Sequence, residues 1–367
     1  MAELPKTMRS LIAPNNQGPK SYVVTDFPTP RITNPNQVIV RSYAAGPGAG
    51  EVMMTSGGFD FIHKLEYPYK VAFEGSGVVA QVGSGVKSLK PGDEVYGLAV
   101  DKPMFQMEAP GWASEYAICD ERFLAIKPPH LTFVEAAGMM GHTVSTYQTI
   151  KRGLEIRGLK NMEGMTVYIT AGLGGLGCMA IQLAKKVFMA EKVITSVSTS
   201  KVPLVEQYLP SLVDQIIDYQ TESLTDHIKP GSVDFVVNTL FPTFAPSIPL
   251  LNPSSGILMN MTGIPSKSTA REIFGPNYPW WMSPVIDLGQ LYYWWKLRGT
   301  HIAYEMVSGG PEIREDVEVV AKLIEKEGLL RPAVSTVELD DLEAVKEGCE
   351  KLAAAKGGIG RFIIKIP

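Results

Sequence analysis

The sequence predicts an α/β chain in two parts, a compact β-barrel followed by a doubly wound parallel sheet. Three observations carry this. Short β-rich segments broken by Gly and Pro run from Gln37 to Pro129, strand and helix patterns alternate beyond Thr132, and a glycine-rich turn at 172–177 joins a strand to a helix. At 367 residues the chain is too long for one ordinary core. With 45% hydrophobic and 20% charged residues it is globular rather than disordered or fibrous.

The first part contains QVIVRSY, GSGVVAQVG, DEVYGL, ASEYAIC and FLAIKPP, each a short strand candidate closed by turn residues. Six further candidates follow at 167–171, 192–197, 214–218, 233–238, 256–261 and 300–307, enough for a doubly wound sheet. Helices are expected at about 311–327 and 340–356, with a closing strand RFIIKI at 361–366 returning the chain to its first part. The expected domains are 1–131 with 309–367, and 132–308. Between Ile273 and Trp295 lies an aromatic cluster, FGPNYPWWMSPVIDLGQLYYWW. It reads either as core and helix-packing surface or as a lid or pocket wall. No internal repeat or low-complexity tail is present.

The stretch VYITAGLGGLG, 167–177, holds most of the chemistry. A β-branched run opens into glycines spaced GxGxxG. Gly172 suits the tight turn, Gly174 an approach by pyrophosphate, and Gly177 close packing of the next helix, with Leu173, Gly175 and Leu176 completing the loop. Free N–H groups and the positive dipole end of that helix would face the phosphates. Ala180, Leu183, Ala184 and Val187 recur at helical spacing, and the second strand follows, the order a Rossmann unit requires. A dinucleotide cofactor is therefore expected.

A net charge of −4 gives no general attraction to polyanions, so neither nucleic acid nor an anionic membrane is an expected partner. Cys119, Cys178 and Cys349 are scattered without CxxC spacing, which suits a reducing compartment and offers no thiolate metal site. The N-terminal residues lack a signal-peptide core and no apolar run reaches membrane-spanning length. A soluble, cytoplasmic protein is expected.

Several motifs in order resemble the medium-chain dehydrogenase/reductase superfamily. FEGSGVVAQVGSGVKSLKPGDEVYG at 73–97 is similar to the signature of its GroES-like β-barrel catalytic domain, with Gly83, Val86, Gly92, Asp93 and Val95 in place. GWASEYAIC, EAAGMMGHTVSTYQT and GGIGRFIIKI continue the match. Zinc-dependent members of that superfamily hold a catalytic ion with three side chains, and at those places this chain has Gly48, Phe73 and His142. One imidazole cannot hold the ion, and the lobe for a structural zinc is also missing, so no metal is expected. What remains is similar to the zinc-independent quinone oxidoreductases and the trans-acting enoyl reductases of polyketide pathways.

NAD-binding units place an acid about 20 residues beyond the first glycine to hold the ribose. Here that position is Ser196, and Ser198, Thr199, Ser200 and Lys201 beyond it offer donors and a cation for a 2′-phosphate. NADPH is the expected cofactor. The resemblance adds Tyr219 at the phosphate or adenine end, Asn238, Thr262 and Gly263 at strand ends, Ser145 near the nicotinamide, and Gly48, Glu51 and Arg361 among the cofactor contacts. Ser145 also reads as a helix-interior serine, and Glu51 as a loop carboxylate accepting backbone N–H bonds.

Without a metal, conjugate reduction of an activated C=C is favoured over carbonyl reduction, because an enolate can be held by hydroxyls and N–H groups. His142, at the vacated third-ligand place, is the candidate proton donor, or else a structural hydrogen-bonder, and Ser145 can polarise a substrate carbonyl instead. The branch's usual Asn, Pro, Asp and Lys are replaced here by Gly48, Ala49, Glu51 and Met53. A bulky apolar substrate held by Met53, Met54, Phe73 and Trp281 is expected, a conjugated carbonyl compound either free or carried by a protein. Two other readings use the same fold, a non-redox rearrangement or cyclisation and a cofactor-binding interaction protein without turnover. Relatives include monomers and homodimers, and the sequence fits either.

Overall fold

The computed structural model describes residues 4–62, 64–99, 111–275, 278–356 and 358–367. Two compact units form, one from Met1–Gly141 with Gly310–Pro367 and one from His142–Gly309. The division falls within the long helix that begins at Met140, beyond the change of character at Thr132.

In the first unit the strands are β1 (Thr7–Ala13), β2 (Val23–Pro28), β3 (Gln37–Gly46), β4 (Tyr69–Lys70), β5 (Glu74–Val82), β6 (Glu94–Leu98), β7 (Tyr116–Asp120) and β8 (Leu124–Ile126). Helices α1 (Ala49–Thr55) and α2 (Phe133–Ala136) lie among them. A three-stranded sheet runs β2-β1-β4. A larger sheet adds two late strands, numbered below, beside β3-β5-β6-β8, while β7 also pairs with β3. Its core gathers Tyr22, Tyr69 and Trp112, all fully buried. A Cβ on Gly75 would lie 2.4 Å from the Trp112 ring, so β5 needs its glycine there to seat the indole.

Helix α3 (Met140–Ile156) leads into the second unit, whose strands are β9 (Thr166–Ile169), β10 (Lys192–Val197), β11 (Gln215–Asp218), β12 (Phe235–Asn238), β13 (Ile257–Asn260) and β14 (Ala303–Met306). All pair in parallel, in the order β11-β10-β9-β12-β13-β14, the strand order of a doubly wound dinucleotide-binding sheet. Strands such as VITSV and FVVN are buried on both faces, and the loss of alternation in the sequence follows from that. The order reverses between β9 and β12, and ligands of such sheets bind outside the strands' carboxyl ends at that switch.

The chain then closes on the first unit: β15 (Val334–Glu338) and β16 (Arg361–Lys365) run parallel, and Ile364 of β16 pairs with Ala45 of β3. The two helices before these strands are Arg314–Glu325 and Leu342–Ala353. Four strands have no counterpart in the sequence reading, β4 among them, which is only two residues long. β2 is exposed along most of its length, so it lacks the apolar alternation that marks a strand, and β1, its partner, falls in the same unassigned stretch. β15 is weakly patterned and is held by its ladder with β16. In the aromatic stretch, Pro276 and Asn277 lie outside the described residues; helices Lys267–Phe274 and Met282–Leu297 flank them. Among the described residues no helix is long and apolar enough to cross a membrane.

Candidate active site

The glycine loop follows β9 and opens helix α4 (Gly175–Lys186), whose N-cap is Gly174. Among the described residues no side chain caps this end, which leaves its first N–H groups to a ligand or water. A Cβ on Gly172 would meet Thr195 Oγ1 at 2.2 Å, and one on Gly177 would meet the Ala171 carbonyl oxygen at 2.2 Å. Around Gly174 the nearest atom is the Ala171 oxygen at 3.1 Å, and little else lies within reach. Gly172 thus lets the loop lie against β10, Gly177 lets α4 pack on the loop, and Gly174 leaves room above it. Ala171 itself sits at φ 52°, in the left-handed region that L-residues seldom occupy. Such local strain is tolerated where the surrounding structure holds it for a purpose.

At the end of β10 the predicted residues separate. The Ser196 hydroxyl is buried and bonded to the Tyr168 hydroxyl at 2.9 Å. Ser198 and Lys201 are half-buried, and Thr199 and Ser200 are exposed in the turn that follows. Partial burial pushes the Lys201 ammonium below its usual range. The Thr199 N–H donates to Gln220 at 3.0 Å, which ties this turn to the end of β11, where Tyr219 is exposed. Ser198, Thr199, Ser200, Lys201 and Tyr219 are thereby gathered at neighbouring strand ends.

The other strand ends carry a buried polar row. Asn238 donates to Asn260 at 2.9 Å and to the Leu240 carbonyl at 2.9 Å, and it accepts from Thr243. Thr170 and Thr239 bond to each other at 3.0 Å. The Asn238 amide is thus engaged inside its unit. The Thr262 hydroxyl, two residues past β13, is buried and has no hydrogen-bond partner among the described residues. Gly263 beside it sits at φ 148°, and a Cβ there would press on the Tyr293 hydroxyl at 2.7 Å.

In the first unit, Gly48, Glu51, Met53, Met54 and Phe73 come together around α1. A Cβ on Gly48 would lie 2.9 Å from Phe73 Cζ, so two places that resemble zinc-ligand positions are filled by backbone and an apolar ring in contact. Met53 is exposed and Met54 is buried in the core. Among the described residues no group of three His, Cys, Asp or Glu side chains is placed to hold a metal ion.

Glu51 is fully buried and accepts the Gly48 N–H at 3.3 Å and the Ala72 N–H at 2.8 Å. Both carboxylate oxygens are therefore used within the unit, as in a capping box. Burial pushes this carboxyl from 4.5 up to about 8. Between those values the folded chain keeps a proton that the unfolded chain has lost, so this group's contribution to stability falls as pH rises and levels off above about 8. Glu51→Gln is expected to remove that decline and to be the more stable form at alkaline pH by a few kcal/mol at most, on the order of one per pKa unit. Thermal midpoints taken across this pH range check it; parallel curves for the two proteins would refute it.

Glu74 and Arg361 form a buried ion pair at 2.7 Å. Arg361 also donates to the Gly46 carbonyl at 3.0 Å, and Glu74 accepts the Gly141 N–H at 2.7 Å. Burial raises the Glu74 carboxyl while Arg361 and the N–H bond oppose that rise. The sequence reading passed over Glu74, although a carboxylate inside the apolar run VAFEGSGVV signals a buried counter-charge. Past Gly141, His142 and Ser145 lie three residues apart on α3 and share a helix face. Both are half-buried, and the Ser145 hydroxyl donates to the Gly309 carbonyl at 3.0 Å. Trp281, half-buried, is the N-cap of the helix Met282–Leu297 in the second unit.

The family model of the alcohol dehydrogenase GroES-like domain matches residues 34–130. The chain is 38% identical over 174 residues to a 2-methylene-furan-3-one reductase of Solanum lycopersicum, covering 47% of this chain and 42% of that protein. It is 31% identical over 240 residues to an NADPH-dependent alkenal/one oxidoreductase, chloroplastic, of Arabidopsis thaliana, covering 65% and 59%. The chain thus spans about half the length of the curated relatives it matches. A solved quinone oxidoreductase from Coxiella burnetii shares the fold, with a TM-score of 0.74 at 22% identity, over 99% of this chain and 100% of that one.

Proposed function

We propose that the chain, which carries an alcohol dehydrogenase GroES-like domain at 34–130 and is similar to a furanone reductase and an alkenal/one oxidoreductase, is a member of the medium-chain dehydrogenase/reductase superfamily and an NADPH-dependent, zinc-independent reductase of activated C=C bonds. Its substrate would be an enone, enoyl compound or quinone of the kind met in secondary metabolism. The observation that carries the reading is the uncapped glycine loop at the carboxyl end of β9, with Lys201 and three hydroxyl residues gathered at the end of β10. The alkenal/one oxidoreductase and furanone reductase named among the relatives support the reaction class.

When bound, NADPH supplies the hydride for the β-carbon of the conjugated substrate. The protein's part is to hold and polarise. The first N–H groups of α4 would receive the pyrophosphate, Ser198, Thr199, Ser200 and Lys201 would hold the 2′-phosphate, and the Thr262 hydroxyl would give a donor near the strand ends. Tyr219 extends the phosphate side. Ser145 donates to the substrate carbonyl as charge develops on the enolate, and the hydrogen bond it leaves at Gly309 is worth about 1 kcal/mol, a modest cost. His142, one turn earlier on the same face of α3, returns the proton to the α-carbon. Phe73 and Met53 supply apolar surface for a bulky ligand. Gly48 and Phe73 carry no ligating atom, which is why the reading needs no zinc. A cytoplasmic location and a free or carrier-borne small molecule as substrate complete the proposal.

Incubating the purified protein with NADPH and a panel of enones, quinones and enoyl thioesters, and following loss of the reduced nicotinamide band, tests the reaction. Cofactor binding without oxidation across the panel would refute it and favour a non-redox or interaction role. Lys201→Ala is expected to weaken NADPH by roughly 10-fold or more, about 1.4 kcal/mol, and NADH far less. Equal loss for both cofactors, measured by calorimetry, would remove the phosphate site.

A further inference from the structure

The loop that follows β13 is held from behind by the helix Met282–Leu297. Ile264 and Pro265 carry one backbone N–H and two carbonyls between them, since proline has no N–H, and two side chains of that helix take all of these. The Tyr293 hydroxyl accepts the Ile264 N–H at 2.9 Å, and the Gln290 amide donates to the Ile264 and Pro265 carbonyls, each at 3.0 Å. Gly289 lets the helix come this close, because a Cβ there would lie 2.6 Å from Ile264 Cδ1 and 2.9 Å from Ile264 Cγ2. Ile286, Gly289, Gln290 and Tyr293 follow the helical period, so one face of one helix makes the whole clamp.

The clamp is itself anchored. Tyr293 is buried, its hydroxyl is bonded to that of Tyr304 on β14, and the Tyr304 hydroxyl accepts from the Asn260 amide at 3.4 Å. Asn260 in turn accepts from Asn238 at 2.9 Å. A single hydrogen-bonded row therefore joins β12, β13 and β14 to the loop, and such a row is rigid when its members are satisfied.

What the clamp holds in place is Thr262, whose hydroxyl is buried and has no hydrogen-bond partner among the described residues. Beside it, a Cβ on Gly263 would lie 3.7 Å from Phe241 Cδ2, and the Phe241 ring, three residues past β12, is 48% exposed. A hydroxyl near an apolar ring suits a flat aromatic ring that bears a carboxamide. With the pyrophosphate at the start of α4 and the 2′-phosphate at the end of β10, the adenosine half of a dinucleotide lies over β10 and β11, and its nicotinamide half crosses the switch to the ends of β12 and β13. We propose that Gln290 and Tyr293 are positioning residues for the nicotinamide end of the cofactor, acting through the loop so that the Thr262 hydroxyl meets the carboxamide. This rests on the proposed function, from which it takes the pyridine nucleotide as ligand.

Calorimetric titration of the full chain with NADPH and, separately, with adenosine 2′,5′-bisphosphate, which has the adenosine half and no nicotinamide, tests it. Gln290→Met, Tyr293→Phe and Thr262→Val are each expected to raise the NADPH dissociation constant ~5-fold or more, as loss of one hydrogen bond would, and to leave that of the bisphosphate within about twofold. Gln290→Met combined with Thr262→Val should bind NADPH about as Thr262→Val alone does, because Gln290 acts through that hydroxyl. Thermal melts check that each variant folds, and half-buried Gln290 keeps the test available if Tyr293→Phe does not. Where the parent binds NADPH, an unchanged NADPH constant, equal losses for both ligands, or full additivity in the combined variant overturns this inference alone. A parent that binds neither ligand overturns the proposed function as well.

Discussion

Arg361→Met is expected to cost the first unit about 3–5 kcal/mol, because it leaves the Glu74 carboxylate buried without its counter-charge. Both side chains of the pair are almost wholly out of water, so solvent cannot screen the loss. The Gly46 carbonyl loses its donor at the same time. Since burial already favours the protonated Glu74, the deficit should shrink as pH falls and the carboxyl takes up a proton. Replacing both partners, Glu74→Leu with Arg361→Met, should restore part of the stability, since no charge is then left buried. Denaturant unfolding of the three variants against the parent makes the comparison. A single Arg361→Met variant within about 1 kcal/mol of the parent would show that the pair has no such role.

The glycine loop carries the second large effect. Gly174→Val is expected to leave the fold intact and to weaken NADPH at least ~100-fold, about 3 kcal/mol, because its side chain would enter the open space above the loop. Gly174 has φ −75° and ψ 163°, a conformation valine adopts readily. Gly177→Val should behave differently and lose stability as well as cofactor, because its Cβ would lie 2.2 Å from the Ala171 carbonyl oxygen, a backbone atom that cannot swing aside. Calorimetric titration with NADPH beside a thermal melt separates the two. If Gly174→Val binds within about threefold of the parent, the loop is not where the phosphates sit.

Much of this was legible because parallel strands buried on both faces are written as uninterrupted apolar runs. The stretch 192–197 coincides with β10 as observed, and the other five candidates overlap their strands with ends trimmed by a few residues. The GxGxxG loop was equally readable, since the Thr195 side chain against Gly172 and the Ala171 backbone against Gly177 leave room only for glycine. Pairing across the chain was not. Glu74 and Arg361 lie far apart in sequence, and nothing local to either announces the other. Side-chain direction was also hidden: the sequence places Ser196 and Asn238 at strand ends, yet their polar atoms turn to Tyr168, Asn260 and Leu240. For the aromatic segment, core and pocket-wall readings were both open. The helix divides by face, with Met282, Ile286 and Tyr293 inward and Leu288, Leu291 and Trp294 outward. Composition alone cannot separate those faces when apolar residues occupy nearly every position.

In the proposed function, hydride goes to the β-carbon of the substrate rather than to its carbonyl carbon, and the proposed residue roles serve that step. Incubation with NADPH deuterated at the transferable position and a simple enone, followed by mass spectrometry and NMR of the product, reads it directly. The saturated ketone carrying deuterium at its β-carbon is the predicted result. An allylic alcohol labelled at the carbinol carbon, or unlabelled recovered enone with the cofactor bound and intact, would contradict it.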